Sequence, residues 1–294
     1  MSENKIKGSS GSNNIGRKQR FWTVAKTILA FILFAFYMVP FLIVIFNSLK
    51  SKIQIIKSPL KLLDNAGPQI ENYVSAFEKM GYFQAFKNSL IITVISIILL
   101  IICSSMCAYI ITRRDYLACK ISYYLLISYM IVPFQVIMIP VLAIYGGELH
   151  LFNNRVILII MNVAYGTCFA SFLMCGFIRS SVPLALEEAA LIDGAGVFTI
   201  YLRIVLPLLK PILATNMILQ TLGLWNDYLL PSLVLGKEAL QTLPIRIRQF
   251  NGTFTSDYGL MMAALVMCLM PIMILFLFMQ KYIVGGIVSG AVKE

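Results

Sequence analysis

The residues best suited to act on another molecule are polar side chains that recur at helical spacing within apolar sequence. Spacings of four, three and four residues place one set of them on a single face of a helix, and two neighbouring apolar segments add one amide each. Amides and carboxylates bind polar solutes through hydrogen bonds, and polar groups in apolar segments usually point inward. Hydrogen bonds between packed helices would use the same residue types, so solute lining and helix packing both stay open. These candidate pathway-lining residues are Asn216, Gln220, Gly223, Asp227, Gln135 and Asn162.

A second polar segment, residues 187–207, interrupts the apolar sequence. Glu187 and Glu188 precede two alanines and suit the early turns of a short helix. Asp193 and Gly194 form a helix stop, because glycine adopts the left-handed conformation that ends helices. A further helical stretch follows before Pro207. Such an element is either a solvated connector or a surface on which a partner docks, and the residues alone favour neither.

Covalent chemistry and metal binding are not indicated. The six cysteines contain no CxxC pair, His150 is the single histidine, and no HExxH or GxSxG motif occurs. The segment 236–238 (Gly-Lys-Glu) lacks the upstream glycine and the Ser or Thr of an ATP phosphate loop. We therefore expect no catalytic residues, no metal site and no cofactor. We also expect that the chain does not hydrolyse ATP by itself.

The composition of the chain indicates that most of its surface faces lipid. Of 294 residues, 59% are hydrophobic and 13% charged, with a mean hydropathy of +0.84. Soluble domains carry about 25% charged residues. The net charge of +11 is spread between apolar runs without a clustered basic face, so nucleic acid is not an expected partner.

Six apolar runs are long enough to cross a membrane, and each must be helical because unsatisfied backbone cannot face lipid. The sequence thus predicts an all-α polytopic membrane protein with six transmembrane helices. The predicted spans are 27–49, 88–112, 121–145, 154–178, 211–235 and 258–283.

The distribution of basic residues orients the chain. Placing the N-terminus inside assigns more than half of the 24 Lys and Arg residues to the inner side, including Arg113 and Arg114 at a span end. An even number of spans puts the C-terminus on the same side. We expect both termini, and the loop 181–210 that contains the second polar segment, to be cytoplasmic.

The spacing within that loop resembles the EAA signature of binding-protein-dependent ABC importer permeases. Residues 225–231, 280–286 and 289–293 are similar to the smaller permease of carbohydrate importers of the maltose type. The likeness covers residues 70–294, and the first 69 only in general layout; Ile-Val-Ser at 287–289 departs from the expected Leu-Thr-Ala. The matching loop residues are Glu188, Ala189, Ala190, Gly194, Ile204, Leu206 and Pro207.

The resemblance implies a permease core of the MetI-like type and a division of labour among subunits. An extracytoplasmic sugar-binding protein delivers the solute, a second, different permease subunit completes the pathway, and two ATP-binding subunits drive transport. The loop 181–210 becomes the coupling loop, whose helix sits in a cleft of one ATPase. The implied ATPase-coupling residues are Glu188, Ala189, Ala190, Asp193, Gly194, Ile204, Leu206 and Pro207.

We expect the chain to be located in the plasma (inner) membrane of a bacterium or archaeon and to have five parts, which are given below.

A stand-alone secondary transporter is a less favoured alternative, because neither inverted repeats nor an intramembrane charge relay is visible. A permease of the same family for a non-sugar solute is another. The expected parts are a disordered basic cytoplasmic tail (1–20), a first transmembrane helix (21–49), an outer loop with an interfacial helix (50–87), a five-helix permease core including the coupling loop (88–283) and a cytoplasmic tail (284–294).

Overall fold

The computed structural model describes residues 10–62, 67–252 and 257–291, and these residues form helices and no strand. The all-α expectation is confirmed. π-helical segments at Leu142–Glu148 and Tyr201–Val205 interrupt the regular α-helical geometry. In chain order the α-helices are α1 (Ser10–Ser48), α2 (Lys52–Lys57), α3 (Glu71–Lys79), α4 (Tyr82–Arg113), α5 (Leu117–Ile131), α6 (Phe134–Val141), α7 (Arg155–Ser181), α8 (Leu184–Ile192), α9 (Val197–Ile200), α10 (Leu206–Leu208), α11 (Lys210–Asn226), α12 (Leu229–Val234), α13 (Leu243–Arg248) and α14 (Tyr258–Ala291).

Four helices among the described residues are long and apolar enough to cross a membrane. They are Arg20–Ser48 within α1, the whole of α4 and α7, and Tyr258–Phe278 within α14. Two bent helix pairs raise the count to six if each pair is one span. Six spans were expected, but as six continuous helices, and two of them are broken.

The third expected span, 121–145, is broken at Pro133. Helices α5 and α6 meet there at an angle of 99°. Proline lacks an amide proton and disfavours the helical conformation of the residue before it. Val132 accordingly has an extended backbone with ψ of 119°. The expectation of one straight helix was wrong because it rested on the length of the apolar run and gave no weight to this proline.

The fifth expected span, 211–235, is also not one helix. The helical stretch Val197–Leu208 bends by 73° into α11, which ends at Asn226. The backbone of Asp227 is extended, and α12 then starts at Leu229 as a separate short helix. The fifth span is therefore shorter than expected, and the chain after Asn226 continues as a separate short helix.

The expected ends of the chain also differ from the structure. Helix α1 begins at Ser10, so the prediction of a disordered tail through residue 20 is wrong for residues 10–20. Helix α14 continues to Ala291, through most of the expected tail 284–294. Residues 1–9 and 292–294 lie outside the described residues.

The expected outer loop 50–87 contains two short helices, α2 and α3, before α4 begins. We expected one interfacial helix here; α3 ends at Lys79 and α4 starts at Tyr82. Gly81 lies between them with φ of +56°, a left-handed conformation that a helix cannot continue through. The loop packs against α14.

The end of the bundle that carries α2, α3 and α13 is tied together by hydrogen bonds to backbone carbonyls. Arg246 Nε of α13 donates to the carbonyl oxygen of Met80 at 2.8 Å. Asn88 Nδ2 of α4 donates to the carbonyl oxygens of Ala239 and Gln241 at 3.0 and 2.9 Å. These bonds fix the segment after α12 on the start of α4.

The core of the bundle is the contact between α4 and α7, which pack along each other. Gly166 of α7 permits the close approach: a Cβ added there would lie 2.1 Å from Cδ1 of Leu100 on α4. Leu100 is fully buried, so its side chain would have to shift within packed surroundings. Small residues at such positions are typical of helix pairs in membranes. Helices α5 and α11 pack on this pair, and α1 packs on α14.

We predict that Gly166→Ala destabilises the chain by about 1–3 kcal/mol, the usual range for overpacking a tight core. Gly176→Ala in the same helix is the matched control, since no atom lies within 4 Å of its added Cβ. Thermal unfolding of the purified chains in detergent compares the two. Equal transition temperatures for both variants would contradict the close packing of α4 on α7.

Candidate functional site

The first candidate site is the coupling loop, whose helix α8 ends as the sequence predicts. Gly194 has φ of +81°. Its amide donates to the carbonyl oxygen of Leu191 at 3.0 Å, and the amide of Ala195 donates to that of Ala190 at 2.9 Å. This pair of bonds is a Schellman motif, which satisfies the last carbonyls of a helix and turns the chain. The predicted stop is confirmed.

One acidic side chain of α8 points into the bundle. Glu187 is 4% exposed and its Oε1 lies 2.7 Å from Nε of Arg113, the last residue of α4. The hydroxyl of Tyr109 donates to Oε2 of Glu187 at 3.0 Å, and Arg113 also donates to the carbonyl oxygen of Val182 at 2.7 Å. Both charged groups thus have hydrogen-bond partners, which a buried pair requires. This network, which we call the Arg113–Glu187 clasp, fastens α8 to the end of α4.

A second contact fastens the far side of the loop. The buried Tyr201 hydroxyl lies 2.8 Å from Oγ of Ser105 on α4, and its ring centroid lies 5.4 Å from that of Tyr109. Ile204 and Leu206, two expected coupling residues, are partly buried against the same apolar cluster. The loop is therefore held on α4 at both ends.

The opposite side of the loop is uncovered within this chain. Glu188 and Ala189 are exposed, as are Asp193 and Gly194. Beside them Ile192 is 87% exposed. Leu191 and Phe198 are exposed as well, and a group of exposed apolar side chains beside charged ones is typical of an interaction surface. We call this face the docking surface; its members are Glu188, Ala189, Leu191, Ile192 and Phe198.

Two further expected coupling residues, Ala190 and Pro207, lie where the loop is attached to the bundle and where it ends. Ala190 is half-buried and packs against the cluster that anchors the loop. Pro207 is exposed within the short helix α10, just before the bend at Leu209 that leads into α11. The sequence did not reveal that Glu187 pairs with Arg113, because the two residues are far apart in the chain and no local pattern links them.

The second candidate site is a cavity of about 520 Å³ among α5, α6, α7, α11 and α12. Its wall includes the parallel rings of Tyr129 and Tyr165, 5.8 Å apart, with Phe134 packed edge-on against Tyr165. Amide and carboxylate groups also line it. We call it the amide–aromatic cavity.

Four of the six candidate pathway-lining residues singled out in the sequence line this cavity. Gln220 Nε2 donates to the carbonyl oxygen of Gly166 at 3.2 Å, which leaves its oxygen free to accept. Asp227 Oδ1 accepts the amide proton of Leu229 at 3.0 Å and so begins α12. The four lining residues are Asn162, Gln220, Gly223 and Asp227.

The other two polar candidates do not line the cavity. Asn216 is fully buried and its Nδ2 donates to the carbonyl oxygen of Ala170 at 3.4 Å, so it bonds α11 to α7. Gln135 is exposed on α6, on the far side of the break at Pro133. The bend rotates α6 away from the direction that a continuous third span would give it. Asn216 thus takes the helix-packing role that the sequence left open, and Gln135 lies away from the cavity.

Comparison with known proteins adds an independent finding. The family model described as binding-protein-dependent transport system inner membrane component matches residues 118–288. The chain is 38% identical over 268 residues to the probable starch degradation products transport system permease protein AmyC of Thermoanaerobacterium thermosulfurigenes, covering 91% of this chain and 96% of the relative. It is also 38% identical to the melibiose/raffinose/stachyose import permease protein MelC of Bacillus subtilis, covering 91% and 95%.

Solved structures show the same fold. A bacterial ABC transporter involved in the import of the acidic polysaccharide alginate has a chain that superposes with a TM-score of 0.73 at 21% identity. The match covers 90% of this chain and 98% of that one. A bacterial alginate ABC transporter in complex with a pentasaccharide-bound periplasmic protein matches with a TM-score of 0.67 at 18% identity, over 91% and 94% of the two chains.

The clasp predicts non-additive mutations at Arg113 and Glu187. Each single change to Met leaves the other charge buried without its partner, which costs about 3–5 kcal/mol, whereas the double change removes both charges together. We expect the double variant to be more stable than the sum of the single losses by at least about 1 kcal/mol. Thermal unfolding in detergent measures this cycle. Glu188→Met, a change at the exposed neighbour, is the control with little effect; strict additivity would rule the clasp out.

Proposed function

The chain belongs to the family of binding-protein-dependent transport system inner membrane components, and we propose that it is a permease subunit of an ABC importer for carbohydrates. It is a multi-pass protein of the inner membrane. The family is one of transport components, so the chain moves a solute and its energy comes from other subunits. Carbohydrate is the proposed solute because the similar proteins AmyC and MelC carry starch degradation products and melibiose, raffinose or stachyose in their names.

The observation that carries the proposal is the division of the coupling loop into two faces. One face is fastened to α4 through the Arg113–Glu187 clasp, and the other presents the docking surface. An apolar surface with an exposed carboxylate fits the cleft of an ATPase subunit. The small side chain of Ala189 permits close approach there, and Glu188 supplies a charged hydrogen-bond acceptor. We propose that the loop lies in the cytoplasm, in agreement with the distribution of Lys and Arg.

The clasp gives this docking a mechanical consequence. When the ATPase moves the docking surface, α8 moves with the end of α4, because a buried, doubly hydrogen-bonded ion pair resists separation. Helix α4 packs along α7, which carries Asn162 and Tyr165 in the amide–aromatic cavity. Movement at the loop therefore reaches the cavity wall through two packed helices. The inward-open and outward-open states must lie within a few kcal/mol of each other for ATP to drive the exchange.

The amide–aromatic cavity is the proposed solute path of this subunit. Aromatic rings pack against the apolar faces of sugar rings, and the amides of Asn162 and Gln220 and the carboxylate of Asp227 suit hydroxyl groups. Pockets that combine aromatic walls with a few placed polar groups are typical of small-molecule sites. The cavity volume of about 520 Å³ falls within the usual range of roughly 300–1,000 Å³.

The proposed assembly contains a second, different permease subunit, two ATP-binding subunits and an extracytoplasmic sugar-binding protein. The second permease would complete the path, of which the amide–aromatic cavity forms the wall on this side. The family description names the dependence on a binding protein, which supports that partner. A chain that transported sugar alone in liposomes, without an ATPase subunit, would overturn this assignment.

We predict that Glu188→Lys leaves the transporter assembled and stable but lowers sugar-stimulated ATP hydrolysis by at least about tenfold. A reversed charge at a docking interface costs on the order of 2 kcal/mol or more. ATPase assays and sugar uptake in proteoliposomes measure the effect. The same change at Glu148, which is exposed and outside the loop, is the control. Normal coupling in Glu188→Lys would remove this residue from the docking role.

We predict that Gln220→Leu lowers sugar uptake by about threefold to tenfold, because one neutral hydrogen bond contributes about 0.5–1.5 kcal/mol. The neighbouring Thr221→Val is the control, since the Thr221 hydroxyl bonds only to its own helix and does not line the cavity. Radiolabelled uptake at several sugar concentrations distinguishes binding from maximal rate. Equal losses in both variants would indicate helix packing as the role of Gln220.

A further inference from the structure

A second cavity, of about 500 Å³, lies at the loop end of the bundle among α4, α5 and α7. Four cationic side chains line it, together with Asp115 and two tyrosines. It is separate from the docking surface and from the amide–aromatic cavity, and neither the clasp nor the proposed transport path accounts for it. The cations are Arg113, Arg114, Lys120 and Arg179.

The charges of this cavity are only half compensated. Arg113 is paired with Glu187, and Lys120 lies 2.7 Å from Asp115 in an exposed ion pair. Arg114 and Arg179 have no carboxylate partner among the residues that the structure describes. The guanidinium carbon of Arg179 instead sits 4.7 Å from the ring centroid of Tyr123, which holds the charge at the cavity. Two positive charges are therefore available to an anion.

An apolar stripe leads away from the same cavity along α5. Leu117, Ile121, Tyr124 and Leu125 recur at helical spacing, and each is at least half exposed. Tyr124 belongs both to this stripe and to the cavity wall. Tyrosine is typical of the level of lipid headgroups, where its ring meets apolar chains and its hydroxyl meets water. The cavity thus joins a cationic end to an exposed apolar stripe.

We propose that this cavity binds the phosphate headgroup of an anionic phospholipid. The phosphodiester sits between Arg114 and Arg179, and the acyl chains lie along the stripe of α5. Basic pockets between transmembrane helices favour such headgroups, because both parts of the lipid are satisfied at once. A free phosphate would use the two arginines but leave the apolar stripe unused. The site is independent of the proposed solute and of ATP hydrolysis.

The test is lipid binding to the purified, assembled transporter in detergent, followed by native mass spectrometry. Phosphatidylglycerol is the anionic lipid and phosphatidylcholine the zwitterionic one. The test variant is Arg114→Gln/Arg179→Gln. The control is Arg203→Gln/Lys210→Gln, which removes two exposed cations near the same end of the bundle that do not line the cavity.

We expect the test variant to bind phosphatidylglycerol about 30-fold more weakly, which corresponds to about 1 kcal/mol for each basic residue at 1.4 kcal/mol per tenfold. The control variant should bind it as the unaltered transporter does, and phosphatidylcholine should bind all three weakly. Where the double change prevents folding, Arg114→Gln alone should weaken binding about fivefold. The Arg114 side chain is exposed, so this single change disturbs no packing.

Three results would overturn the proposal. Equal phosphatidylglycerol binding by the unaltered transporter and the test variant would show that the cavity is not the site. An equal loss in the control variant would show attraction to the general positive surface. Displacement of the lipid by inorganic phosphate at equal concentration would assign the cavity to free phosphate and not to a lipid.

Discussion

The buried ion pair between Arg113 and Glu187 is the contact on which the arrangement of the coupling loop depends. Taking two charges out of water is costly, and only the added bonds from Tyr109 and to the carbonyl of Val182 make it tolerable. The ion pair fixes the position of α8 on the end of α4, whereas a purely apolar contact would allow the two helices to slide past each other. Because adjacent residues on a helix point about 100° apart, fixing Glu187 inward also fixes Glu188 outward. One pair thus sets both the attachment of the loop and the direction of its free face.

A second constraint explains where the cavity lies. Backbone that leaves helical geometry within a bilayer must be covered by protein or line a wet space. Two interruptions of helical geometry, at Pro133 and after Asn226, border the amide–aromatic cavity, where Phe134 and Asp227 contribute to its wall. Asp227 also accepts the amide of Leu229 and so satisfies one of the freed backbone groups. Irregular backbone and polar side chains therefore occur together at this cavity, because the freed backbone groups need hydrogen-bond partners there.

The sequence predicted the features that depend on neighbours in the chain. The apolar runs indicated helices, Gly194 indicated the stop of α8, and the spacing from Gln220 to Asp227 indicated one face of α11. Features that depend on distant residues were missed: Glu187 and Arg113 are 74 positions apart, and no periodicity pairs them. The stacked rings of Tyr129 and Tyr165 come from two helices whose relative rotation follows from the bend at Pro133. Pro133 itself indicates a bend, but the prediction of one helix followed the length of the apolar run instead.

Helix α1 differs from the other long helices in a way that bears on how the chain enters the membrane during synthesis. The most apolar 18 residues within Arg20–Ser48 have a mean hydropathy of 2.9, and none of these 18 residues is buried by the rest of the chain. This segment is soluble in lipid by itself and needs no later segment to be stable there. The broken pair α5 and α6 lacks this independence, since the chain leaves helical geometry at Val132 and each half alone is too short to cross a membrane. We therefore expect the first helix to be stable in lipid as soon as it is made, and the middle of the chain to become stable there once its neighbours have been made.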